Sequence, residues 1–209
     1  MTTFDDARSQ WNGRFAGEDY VFGREPNAYL HAQAHRLPPA GGRVLCVADG
    51  EGRNSVWLAR QGLAVQAFDV SDVGVAKARR LAADAGVSVD FTVCDCEAWP
   101  WSEGSHDAVV AVFIQFADPP MRQRLFANMV RTLKPDGLLI LQGYTPRQLA
   151  YRTGGPGELS HLYTAEILRE AFAALQIVEL VDYEADLTEG ARHVGRSALI
   201  GLVARKTEC

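Results

Sequence analysis

The sequence is short of positive charge, of long apolar runs, of cysteine and of internal repeats, and each shortage removes a class of function. Its 21 Lys and Arg stand against 26 Asp and Glu, a net charge of −5. No strong positive field is therefore present to hold nucleic acid or an acidic membrane, and neither partner is expected. The longest apolar stretches, such as 107–116, reach barely half the roughly 20 residues that cross a bilayer. The opening Met1-Thr-Thr-Phe-Asp-Asp is neither basic nor apolar as a secretory leader is, so a cytoplasmic protein is expected. In that setting the four cysteines, Cys46, Cys94, Cys96 and Cys209, read as free thiols and not as a disulfide framework. They form no C-x-x-C pair, and no metal is expected. The absence of any repeat of roughly 20–50 residues sets solenoids aside.

What is present is a chain of 209 residues, 47% of them hydrophobic, enough for one domain with a buried core. Apolar runs of strand length alternate with helical patterns. Val44–Ala48, Ala64–Phe68, Val87–Cys94, His106–Phe113 and Leu138–Gln142 read as strands buried on both faces. Between them, Ser55–Gln61, the segment after Ser71 and the segment from Pro119 carry apolar residues at helical spacing. Lys134-Pro-Asp-Gly137 reads as a turn. Such alternation predicts a mostly parallel, doubly wound sheet with helices on both faces and ligands beyond the carboxyl ends of its strands.

The flanks differ. Residues 1–40 hold two short helical patterns, one around Trp11 and one over 27–37, and are expected to form a lid over a core at 41–143. Residues 144–209 begin with a Gly- and Pro-rich connection, followed by a helix over 165–175 and two β-rich runs at 176–183 and 197–204. That tail is expected to be antiparallel and to supply the acceptor side.

The chemistry concentrates at strand ends. Ala48-Asp-Gly50-Glu-Gly52-Arg-Asn54 directly follows the first strand, where missing side chains let a ligand approach backbone and a helix N-terminus. Asp69 closes the second strand, 17 residues after Gly52, the place from which a carboxylate accepts both ribose hydroxyls. Asp95 follows the third strand and can accept from an adenine amino group. Three successive strand ends thus address one adenosine ligand. A nicotinamide dinucleotide would use the same acid, although Gly50-x-Gly52-x-x-Ser55 places serine where that fingerprint wants Gly or Ala. Trp99-Pro-Trp101 is expected to brace the adenine side.

Gly50-Glu-Gly-Arg-Asn-Ser55, Tyr20-Val-Phe-Gly-Arg-Glu-Pro-Asn27, Leu133-Lys-Pro-Asp-Gly137, Gly143-Tyr-Thr-Pro-Arg-Gln148 and the ending His193-Val-Gly-Arg with Ala204-Arg-Lys206 carry a resemblance over nearly the whole chain. It resembles the class I S-adenosylmethionine-dependent methyltransferases, nearest the tellurite-resistance and thiopurine methyltransferase-like branch. The resemblance implies a Rossmann-like sheet of seven strands in the order 3-2-1-4-5-7-6, and S-adenosylmethionine as cofactor. It assigns the methionine part to Ala48, Asp49, Gly50 and Gly52, the ribose to Asp69, and adenine to Val70, Asp95 and Cys96. Trp11 and Tyr20 would close the lid, and Asn54 and Phe113 complete the expected cofactor set. The sequence departs from the common motif at Cys46, where an acid is usual, and at Ala48, where glycine is usual.

Methyl transfer from a sulfonium is an in-line displacement that depends on alignment and desolvation, so a dedicated base is not obligatory. The implied product is S-adenosylhomocysteine, and the expected acceptor is a small molecule such as a thiol, tellurite or a similar soft nucleophile. Gln115, Tyr144, Arg147, Tyr151 and His193 are the candidates for its pocket, on or beyond the strand ends where the methyl would emerge. Arg152, Phe116 and His161 lie in the same segments. Two alternatives share the motif: a non-catalytic module that binds S-adenosylmethionine or S-adenosylhomocysteine as a signal, and an NAD-dependent oxidoreductase.

Overall fold

The computed structural model describes residues 4–207, so Met1–Thr3 of the opening segment and Cys209 lie outside the described residues. Seven strands form one sheet in the order β3-β2-β1-β4-β5-β7-β6. They are β1 (Arg43–Val47), β2 (Ala64–Asp69), β3 (Asp90–Val93), β4 (His106–Val112), β5 (Leu133–Tyr144), β6 (Gln176–Glu189) and β7 (His193–Arg205). The first five pair in parallel, and β7 runs antiparallel to both β5 and β6. The fold is the Rossmann-like one expected.

Helices cover both faces. The apolar stripes of α3 (Arg53–Arg60) and α4 (Asp72–Asp84) pack on one side with Val44, Cys46, Val65 and Ala67. On the other, α5 (Pro119–Thr132) and α7 (Ala165–Ala171), with Phe172 just beyond it, bury Phe126, Met129, Leu168 and Phe172 against Leu139, Leu141 and Leu202. Ser71 caps α4 by accepting from Gly74 N at 3.0 Å, and Asp118 caps α5 by accepting from Met121 N at 2.9 Å. Each cap satisfies a helix-end donor and fixes where its helix begins.

Several boundaries differ from the sequence expectation. β3 is shorter than 87–94, because Val87 N donates to Ala82 O at 3.0 Å and so closes α4 instead of entering the sheet. Lys134–Gly137 lies within β5 as an irregularity, with Asp136 in the left-handed region at φ 62°. The 165–175 helix ends at Ala171, and the 27–37 helix divides into α2 (Ala28–Ala32) and a 3-10 turn at Ala34–Arg36. Both tail strands run longer than expected and meet in a hairpin at residues 189–193. A four-residue helix, α6 (Gln148–Tyr151), interrupts the Gly- and Pro-rich connection.

Helix α1 (Phe4–Phe15) docks on the start of α4. There Asp72 Oδ1 accepts from Arg8 Nε at 2.9 Å and Asn12 Nδ2 at 2.7 Å, and Ser71 Oγ donates to Asn12 Oδ1 at 2.6 Å. The N-terminal segment thereby lies across the carboxyl edge of the sheet. No helix among the described residues is long and apolar enough to cross a membrane.

Candidate functional site

Leaving β1, the chain turns through three left-handed residues, Ala48 (φ 48°), Gly50 (φ 61°) and Gly52 (φ 90°), before α3 starts. Gly52 is obligatory on space as well as conformation, since a Cβ there would stand 2.7 Å from the Cβ of Ala78. Asp69, at the end of β2, holds this loop: its Oδ2 accepts from Gly50 N at 2.9 Å and its Oδ1 from Ser71 N at 2.8 Å. Each oxygen keeps a second lone-pair direction for a ligand hydroxyl. Burial pushes the Asp69 carboxyl up to about 6, against the pull of those two amides.

Asp49 lies beside it and accepts from Ser55 Oγ. Burial, reinforced by the neighbouring Asp69 charge, raises its carboxyl to about 7. Two acids that resist ionisation therefore face one loop, and a cationic ligand group placed there would favour their charged forms.

The residues expected to border adenine come next. Val70 and Asp95 are half-buried at the ends of β2 and β3. Asp95 Oδ1 accepts from Glu97 N at 2.7 Å. Cys96 is buried, and desolvation pushes its thiol up to about 12. Trp99 stacks on Phe68 with centroids 4.5 Å apart, while Trp101 meets the same ring edge-on at 5.8 Å and donates Nε1–H to Cys96 O at 2.8 Å. The tryptophan pair thus packs on Phe68 and ties down the segment that follows β3.

Glu51 and Lys77, neither of them a candidate from sequence, fasten the N-terminal segment. Glu51 and Lys77 meet at 2.5 Å, both side chains 2% exposed. Lys77 Nζ also donates to Asp19 O at 2.6 Å and Gly17 O at 3.0 Å, and Glu51 Oε2 accepts from Val21 N at 2.7 Å. Tyr20 donates its hydroxyl to Lys77 O at 3.0 Å. Phe15 is buried beneath this segment, where a Cβ on Gly50 or Gly74 would meet its ring at 3.3 Å or 2.9 Å. Asn54 turns away from the loop, its Oδ1 accepting from Asn27 N at 2.9 Å.

Rings run in contact across the carboxyl edge. Trp11 stacks on Phe15 at 5.5 Å, and Phe15 meets Phe22 at 6.2 Å. Phe22 lies 4.6 Å from His193, His193 lies 4.3 Å edge-on from Phe113, and Phe113 stacks on Tyr144 at 4.7 Å. Phe113 holds a left-handed backbone at φ 56°, a strained conformation that persists only where packing imposes it. Below His193, Glu189 accepts from Arg53 Nη2 at 2.8 Å and from Asn27 Nδ2 at 3.0 Å. His193 and Arg53, with the backbone N–H of Ala28, hold its carboxyl down at about 2 against the cost of burial.

The five acceptor-side candidates separate. Tyr144 and His193 join the ring cluster. Gln115 is a brace between segments: its Nε2 donates to Tyr144 O at 2.9 Å and His161 O at 3.1 Å, and its Oε1 accepts from Tyr144 N at 2.6 Å. Arg147 is exposed and paired with Asp182 and Glu184, and Tyr151 also acts to lower the Glu184 carboxyl. The structure does not bring Arg147 or Tyr151 to the ring cluster. His161 Nδ1 lies 2.9 Å from Gln115 O, and Phe116 is partly exposed.

Residues 44–137 match the family of methyltransferase domains. A ubiquinone biosynthesis O-methyltransferase from Xanthomonas axonopodis pv. citri is 36% identical over 132 residues, which cover 61% of this chain and 54% of that protein. An uncharacterized Mycobacterium tuberculosis protein is 34% identical over 107 residues, covering 51% of this chain and 38% of its own length. The chain thus spans about half or less of these relatives. The solved N-methyltransferase NodS from Bradyrhizobium japonicum, in complex with S-adenosylhomocysteine, superimposes with a TM-score of 0.73 at 18% identity, covering 97% of this chain and 99% of its own. A structure described for conversion of a disulfide bond into a thioacetal group during echinomycin biosynthesis gives 0.78 at 18% identity, covering 96% and 92%.

Proposed function

We propose, from the match of residues 44–137 to the methyltransferase-domain family and the fold shared with a solved N-methyltransferase, that this protein transfers a methyl group from S-adenosylmethionine to a small organic acceptor. The observation that carries the reading is the junction at Asp69, where one carboxylate holds both the Gly50 loop and the Ser71 turn and keeps acceptor capacity beside a left-handed glycine cradle. The residues present fit the cofactor. Asp49 stands where it can face an ammonium, Asp69 can take ribose hydroxyls, and Val70, Asp95 and Cys96 can border adenine. Trp11, Phe15 and Tyr20 belong to the cover.

When bound, the cofactor supplies an electrophilic methyl on a sulfonium. The chain's own part is alignment and exclusion of water: the lid segment held by Lys77 and Glu51 shields the loop, and the rings of Phe22, Phe113 and Tyr144 wall the acceptor side. Aromatic walls favour an acceptor that carries a flat ring. A thiolate or a tellurium oxyanion, the acceptors of the tellurite-resistance and thiopurine-like branch, would need a free cation there, whereas Arg53 is committed to Glu189 and Arg14 lies over the Trp11 ring at 4.5 Å.

The test is production of S-adenosylhomocysteine from S-adenosylmethionine with a panel of phenols, quinols, aliphatic thiols and tellurite. Turnover confined to ring-bearing acceptors supports the reading. Binding of the cofactor without turnover on any member would favour a sensor instead.

A further inference from the structure

At the centre of the ring cluster sits the imidazole of His193, 10% exposed, whose Nδ1 is buried without a hydrogen-bond partner 3.8 Å from Glu189 Oε2. Beside it the hydroxyl of Tyr144 is also buried and unpartnered. Two unsatisfied polar atoms among apolar rings are costly unless a ligand completes them. The groups around the imidazole come from four elements: Glu189 from β6, Arg53 from α3, Arg14 from α1 and Tyr144 from β5. Burial and the two arginines lower the histidine from its ordinary value, while Glu189 acts to raise it. Burial therefore favours the neutral ring. With Nδ1 turned toward a carboxylate, Nε2 is the nitrogen left to take a proton.

Resting on the methyl-transfer reading above, we propose that His193 is the general base for an acceptor hydroxyl on an aromatic ring, and that Glu189 positions and supports it. The acceptor O–H bond breaks as its proton passes to His193, and the oxygen forms a bond to the methyl carbon as the carbon–sulfur bond breaks. The electron pair of that bond stays on sulfur. The product is an aryl methyl ether, and the proton leaves the imidazolium to water. The 3.8 Å separation from Glu189 is of the kind that tightens when substrate binds. Gly154 presses close here, since a Cβ on it would meet Tyr144 Oη at 3.2 Å and His193 Cδ2 at 3.8 Å. The 154–155 turn therefore forms one wall of the acceptor space.

The experiment compares a catechol with thiophenol as acceptors for the wild type, His193→Gln, His193→Asn and Glu189→Gln. Binding of S-adenosylhomocysteine to each is measured by titration, and the His193 resonance is followed by NMR as pH is varied. Thiophenol is ionised at pH 8 and needs no base, whereas catechol does. Both His193 variants should lower the ratio of catechol to thiophenol transfer by about 100-fold, the lower end of what a general base contributes. Glu189→Gln removes an interaction that raises the histidine, so both the acid limb of the catechol pH–rate profile and the NMR titration should move to lower pH. A ratio unchanged in the His193 variants would overturn the proposal. So would failure of catechol to bind or react with a wild type that binds S-adenosylhomocysteine. Failure of the wild type to bind S-adenosylhomocysteine would overturn the methyl-transfer reading beneath it.

Discussion

Lys77 and Glu51 meet at 2.5 Å with no appreciable exposure of either side chain, and together they fasten residues 15–21 over the loop that follows β1. Lys77 reaches the carbonyls of Gly17 and Asp19, while Glu51 takes the amide of Val21. A buried pair of this kind is costly to break from one side, because the surviving charge is left without its partner. Lys77→Met should lower unfolding stability in urea by about 3–5 kcal/mol, with new protease cleavage between residues 15 and 21. Adding Glu51→Gln should recover much of the loss. A single-variant loss below about 1 kcal/mol would show that the lid is held by other contacts.

Ala48 sits at φ 48° where the common motif has glycine. A left-handed alanine is strained by its Cβ, so Ala48→Gly should raise stability by about 0.5–1 kcal/mol despite the greater freedom glycine gives the unfolded chain. Thermal unfolding of the ligand-free protein measures it. A lower melting temperature would mean that the methyl group packs usefully in place.

Asp49 is raised to about 7 in the folded chain, so folding favours its protonated form. Its contribution to stability is full at low pH and declines as pH climbs from about 4, the ordinary carboxylate value, to about 7. Asp49→Asn should flatten that decline in denaturant titrations at successive pH values. For a cationic ligand beside Asp49 the sign reverses: affinity for S-adenosylmethionine should rise with pH up to about 7, by at most about tenfold per unit. Affinity independent of pH between 5 and 8 in the wild type would remove Asp49 from the site.

Much of the fold was legible because burial on both faces leaves unbroken apolar runs, as in Ala108–Ala111, all buried in β4. The loop proposed to hold adenosine was legible for a related reason: its glycines and acids lie at strand ends, which the alternating pattern locates. The lid was not. Lys77 reads as a solvent-facing lysine of α4 and Glu51 as a loop acid, and only tertiary packing 26 residues apart buries them together. Glu189 and the outer half of β6 were hidden because an edge strand half exposed to water carries polar residues such as Glu184 and Asp186. Arg147 and Tyr151 were drawn toward the cleft by nearness in sequence to β5, yet the acids of β6 claim them on the exposed side.

Asp69 carries the ribose assignment and also holds two backbone amides. Asp69→Ala should weaken S-adenosylmethionine binding at least about tenfold. Unchanged affinity in a folded variant would place the ribose elsewhere.

The central claim is that the Gly50 loop and Asp69 bind S-adenosylmethionine. It is tested most directly by calorimetric titration of the purified chain with S-adenosylmethionine, S-adenosylhomocysteine and NAD in parallel. The account predicts micromolar binding of the two sulfur ligands and none of NAD. Absence of binding by both sulfur ligands, or preference for NAD, would contradict it.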